Sequence, residues 1–119
     1  MEYYKNESGQ IAVLVSGGYG AGWSTWNTRE VAYDKRVVEY WLSHKDDEAF
    51  MRGVDTYGSA TEKEAKEFMA SIGYPGCYMG GFADIHIEWI EADEPFIITE
   101  YDGAESLECM GDIQFTRLS

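Results

Sequence analysis

Five consecutive apolar residues, Ile11-Ala12-Val13-Leu14-Val15, run straight into a segment with four glycines in six positions, Gly17 to Gly22. The apolar run reads as a buried strand. The glycines leave the backbone free to take positive φ and let another group approach closely. Trp23, Ser24, Thr25, Trp26 and Asn27 follow at once. A strand that empties into glycines, aromatic rings and hydroxyls predicts a ligand-binding edge at its C-terminal end.

The rest of the chain orders itself around that strand. Tyr3 and Tyr4 are expected to pair as an edge, and residues 28–33 as a short second strand. Val37, Val38, Trp41 and Leu42 form an amphipathic stripe, so 34–45 reads as a helix capped by Asp34. Asp46-Asp47-Glu48 opens a second helix through about Tyr57, with acids at the positive end of its dipole and Ala49, Phe50 and Val54 toward the core. Ser59 or Thr61 caps a third, whose apolar face is Ala65, Phe68, Met69 and Ile72, and Gly73 ends it. A second loop of glycines and aromatics spans 74–82. Residues 85–89 alternate as a strand, 96–101 form another, Asp102-Gly103 signals a hairpin turn, and 113–118 read as a last strand. Helices gathered between strands argue for α+β, not repeated βαβ units. The expected fold is a single α+β domain over 1–119: one N-terminal strand, three helices, then an antiparallel β-meander packed on them.

With 119 residues, 45% hydrophobic and 15% aromatic, the chain is long enough for one core and too short for two domains. No apolar stretch approaches the roughly 20 residues that span a bilayer. The N-terminal residues lack the layout of a signal peptide, so the expected location is cytoplasmic. Cys77 and Cys109 have no metal-ligand spacing and are expected as unpaired thiols. Residues 1–45 carry five bases and five acids, whereas 46–119 carry four bases and seventeen acids. The net charge of −13 therefore lies entirely after the glycine-rich segment. That field disfavours direct nucleic-acid binding and anionic membranes, and favours solubility or a basic protein partner.

Sequence motifs narrow the chemistry by failing. A P-loop needs Lys and a hydroxyl after its last glycine, but Trp23 follows Gly22. The dinucleotide fingerprint lacks its third glycine. Gly22-Trp23-Ser24-Thr25-Trp26 has Trp where a nucleophile elbow has Gly, and Ser24 would need His44 or His86 beside it. Asp84, His86 and Glu88 share one strand face, but alternate side chains about 7 Å apart are too widely spaced to hold one ion unaided. No catalytic residue, metal ligand or cofactor is assigned. The binding candidates are Gly17, Gly18, Tyr19, Gly20, Gly22, Trp23, Ser24, Thr25, Trp26 and Asn27, with Arg29 and Arg36 to neutralise an anion. Glycine amides can cradle an anionic group, and the rings can stack on a flat one.

The stretches 13–27, 34–39 and 98–106, which include Val13-Leu14-Val15-Ser16-Gly17-Gly18 and Ile98-Thr99-Glu100-Tyr101-Asp102-Gly103, resemble a group of small uncharacterised proteins encoded by tailed bacteriophages. The resemblance implies a viral accessory protein made in the host bacterial cytoplasm, of a kind that often counteracts host defence. It transfers no functional residues. Three functions are carried forward. The first is a non-enzymatic module holding a small anionic or nucleotide-like ligand at the glycine/aromatic loop. The second is an acidic inhibitor or DNA mimic docking on a basic host protein through Asp93, Glu94, Asp102 and Glu105. The third is a small hydrolase or transferase using Ser24 or His86. A homo-oligomer is compatible with the aromatic content.

Overall fold

The computed structural model describes residues 2–18 and 22–109. Strand β1 (Ile11–Ser16) leads, followed by short 3-10 turns at Ser24–Trp26 and Arg29–Ala32. Three helices come next: α1 (Lys35–His44), α2 (Glu48–Val54) and α3 (Ala60–Ser71). Strands β2 (Ile85–Ile90), β3 (Phe96–Tyr101) and β4 (Ala104–Cys109) complete the described chain. This is the α+β order that the sequence predicts. The expected strand over 113–118 lies outside the described residues.

The strand pairing adds what the sequence could not. β2 runs antiparallel to β1, with Ile11 opposite Ile90 and Ser16 opposite Ile85. β3 and β4 form a separate hairpin, with Phe96 opposite Cys109 and Tyr101 opposite Ala104. Asp102 and Gly103 at its turn have φ of 52° and 90°, the two positive values that a two-residue type I′ turn requires.

All six residues of β1 are buried, and its alternation sorts them onto two faces. Ala12 and Leu14 pack with Val37, Val38 and Trp41 of α1, Val54 of α2, and Ala65 and Met69 of α3. Ile11, Val13 and Val15 pack against Phe96, Ile98 and Leu107 of the hairpin. The molecule is therefore layered as helices, the β1–β2 pair, and the β3–β4 hairpin.

Caps account for the helix starts. Asp34, Asp47 and Ser59 accept hydrogen bonds from the amides of Arg36, Phe50 and Glu62. Gly73, at φ 102°, turns the chain out of α3. Three local expectations are corrected. Residues 29–32 form a 3-10 turn in place of a strand, with the Val31 and Tyr33 amides donating to the carbonyls of Thr28 and Glu30, three residues back. The second helix is shorter than 46–57, and Ala49 faces solvent while Phe50, Met51 and Val54 face inward. Tyr3 and Lys5 make only isolated bridges, to Asp34 and Ile11.

Candidate functional site

The two glycine- and aromatic-rich loops meet through Asn27. Its side-chain amide donates to the carbonyl oxygens of Trp23 and Tyr78, both at 2.9 Å. Its Oδ1 accepts the Tyr78 amide at 2.7 Å. Asn27 thereby pairs with the Tyr78 main chain as a neighbouring strand would. Beside it the rings of Trp26 and Tyr78 lie 5.3 Å apart. Gly22 makes that arrangement possible, because a Cβ there would stand 2.5 Å from the Trp26 ring.

A groove of about 280 Å³ opens along this junction. Its walls are Trp26, Asn27, Thr28 and Val31 on one side and Gly73 to Cys77 on the other. Among the described residues, no charged side chain lines it. Trp26 is 44% exposed and presents its ring at the edge. Tyr74 is fixed in the far wall, where its hydroxyl donates to Asp34 Oδ2 at 2.7 Å. Burial, together with that bond to a carboxylate, pushes the phenol up to about 12. Burial opposes ionisation of Asp34, yet hydrogen bonds from Arg36 and Tyr74 outweigh it and hold the carboxyl below its ordinary range. Cys77, in the far wall, is buried, and burial pushes its thiol up to about 11. At neutral pH it is a thiol rather than a nucleophilic thiolate.

The binding candidates divide sharply. Trp23 is fully buried and packs edge-on against Phe82, with its indole N–H donated to the Val31 carbonyl at 3.3 Å. It belongs to the core and offers no face for stacking. Ser24 is also buried. His44 stacks on Tyr40 and His86 pairs with Glu88 at 3.0 Å; neither is hydrogen-bonded to Ser24. Gly17 is exposed, and Gly18 lies against Asp84. Tyr19 and Gly20 lie outside the described residues. Arg36 is engaged by Asp34 at 2.7 Å. Arg29 faces a different groove, lined also by Tyr3, Tyr33, Asp93, Glu94 and Phe96. Among the described candidates, Trp26 and Asn27, with Gly22 beneath the Trp26 ring, come together at the junction.

No family model, curated protein or solved structure matches this chain. What the site does must therefore be argued from its geometry.

The residue that sequence reasoning misplaced is Glu105. The sequence places it on an acidic surface, yet it is 5% exposed. Its carboxylate accepts from the amides of Ser16, Trp23 and Thr25 and from the Thr25 hydroxyl. The amides of Trp23 and Thr25, two of the binding candidates, thus hold an internal carboxylate. Glu105, Leu107 and Cys109 share one face of β4, so the inward Leu107 carries Glu105 inward with it. Among the described residues, no group of three His, Cys, Asp or Glu side chains is placed to hold a metal ion. No helix among them is long and apolar enough to cross a membrane.

Proposed function

We propose that this protein is a non-enzymatic binding module that takes a flat, ring-containing ligand of nucleotide-like chemistry into the groove between 26–28 and 73–77. The observation that carries the reading is the junction itself. An exposed tryptophan stands at the mouth of a groove whose two walls are tied by Asn27 and whose far wall is anchored by the Tyr74–Asp34 bond. Ligand sites are commonly concave, mostly apolar and pre-formed, with a few fixed polar groups. Stacking on Trp26 would supply about 1–3 kcal/mol if the ligand ring is a base. The uncharged lining selects the ring end of such a ligand rather than its phosphate. In the setting that the bacteriophage resemblance implies, the module acts in the host bacterial cytoplasm and withdraws its ligand from a defence response.

Native mass spectrometry of protein purified from a bacterial host, set against the same sample denatured, tests this. Extra mass on the folded species that disappears in Trp26→Ala supports the reading. Extra mass that survives in Trp26→Ala while the variant stays folded refutes it.

A second reading rests on the other groove. There Tyr3 and Tyr33 lie 5.5 Å apart, Tyr33 meets Phe96 edge-on at 5.9 Å, and Asp93 and Glu94 stand at the rim. Rings beside two carboxylates suit a cationic side chain of a basic partner protein, which would share those acids with Arg29 in the same groove. Binding of that kind weakens steeply with salt, whereas binding in the uncharged groove varies little. Glu105, being buried, takes no part in it.

A further inference from the structure

Four donors converge at the end of β1. Ser16 N donates to Glu105 Oε1 at 3.0 Å. Trp23 N and Thr25 N donate to Oε2 at 2.8 and 2.9 Å, and the Thr25 hydroxyl donates to it at 2.6 Å. All four donors come from one short stretch of chain, and the acceptor arrives 80 or more residues later on β4. Among the described residues, no Lys, Arg or His forms a salt bridge with this carboxylate. Three main-chain amides and a hydroxyl converge on this carboxylate, with no cationic partner among the described residues, as backbone N–H groups converge on a bound anion. Hydrogen bonds to an ionised acceptor are about twice as strong as neutral ones.

We infer that the Ser16–Trp23–Thr25 cradle is an oxyanion-binding site, suited to a carboxylate or phosphate group, which Glu105 fills as an internal ligand and keeps closed. It is separate from the Trp26 groove and does not depend on that reading. The hairpin is anchored along its length by Phe96, Ile98 and Leu107. Its tip carries the exposed Tyr101 and is tied by the Gly103 amide, which donates to Glu100 Oε2 at 2.8 Å. Glu100 is the ladder partner of Glu105, and like charges directly opposite on a strand pair repel.

Glu105→Ala keeps Cβ and removes a fragment the size of acetate, so acetate is the first probe and inorganic phosphate the second. Sodium chloride at equal ionic strength is the control. The expected result is a saturable shift of the Ser16, Trp23 and Thr25 amide signals in Glu105→Ala, with a rise in its Tm. The wild type should show no saturable shift. Acetate alone would mark a carboxylate site, and phosphate as well would mark a general oxyanion site; either supports the inference. A folded Glu105→Ala that responds to neither anion overturns it. So does a wild type that responds as readily as the variant. If Glu105→Ala folds only with acetate or phosphate and not with chloride, the inference stands. Glu105→Gln decides the case in which no anion folds Glu105→Ala. The glutamine keeps the shape but turns an N–H₂ donor toward donors. Unchanged Tm and unchanged hydrogen exchange at Trp23 and Thr25 in that variant would overturn the inference.

Discussion

Trp23 and Trp26 are three residues apart in one segment, and the structure gives them opposite roles. Trp23 is fully buried, lies against Phe82 and donates to the Val31 carbonyl. Truncating such a ring to alanine costs about 3–5 kcal/mol, through lost transfer energy and the cavity left behind. That is a large part of the roughly 5–15 kcal/mol that stabilises a domain. Trp26 is 44% exposed. A tryptophan covers up to ~250 Å² when buried, so about 140 Å² of Trp26 is covered, an upper bound of about 3.5 kcal/mol at ~25 cal/mol per Å². Compactness of the unfolded chain and the area that alanine retains reduce this to about 1–2 kcal/mol. Urea unfolding followed by circular dichroism measures both, with Trp23→Phe as a milder variant should Trp23→Ala not fold. Equal costs for Trp23→Ala and Trp26→Ala at equal m-values would refute the assignment of one ring to the core and the other to the groove.

Asn27→Ala removes three hydrogen bonds and unties the two loops. The expected cost is about 1–3 kcal/mol by urea unfolding, with faster hydrogen exchange at the Tyr78 amide. Tyr74 carries a folded-state pKa raised from 10.0 to about 12. Its contribution is therefore fully present below pH 10 and is lost as pH rises toward 12, which Tyr74→Phe should abolish in an alkaline stability series. Asp34 has its pKa lowered from 3.8. Its contribution is present above that value and lost as pH falls through the folded-state pKa, so Asp34→Asn should flatten the acid limb of the stability curve. Cys77, buried and with its thiol near 11, should resist iodoacetamide at pH 8 in the folded protein and react in urea.

Local rules reached far in this chain, because caps and apolar stripes are local. Asp34, Ser59 and Gly73 marked helix ends that the structure keeps. The buried strand 11–16 was legible from its unbroken apolar run. Which strands pair is a long-range matter, and nothing within 85–90 says that it lies beside β1 and not β3. The site was legible as a region and illegible as a constellation. Glycines next to tryptophans marked the segment, but Trp23 and Trp26 look alike in sequence, and only the position of Phe82 and Val31 separates them. Glu105 was hidden for another reason. A carboxylate in an acidic stretch reads as solvated unless the donors that satisfy it are known, and they lie some 80 residues away.

The most direct test of the account is a ¹H–¹⁵N titration of the wild type with adenosine monophosphate, at low and at high salt. The account predicts shifts at the Trp26 indole and at Thr28, Gly76 and Cys77, little changed by salt, with Ser16, Trp23 and Thr25 still. Shifts centred on Ser16, Trp23 and Thr25, or none at the groove, would contradict it.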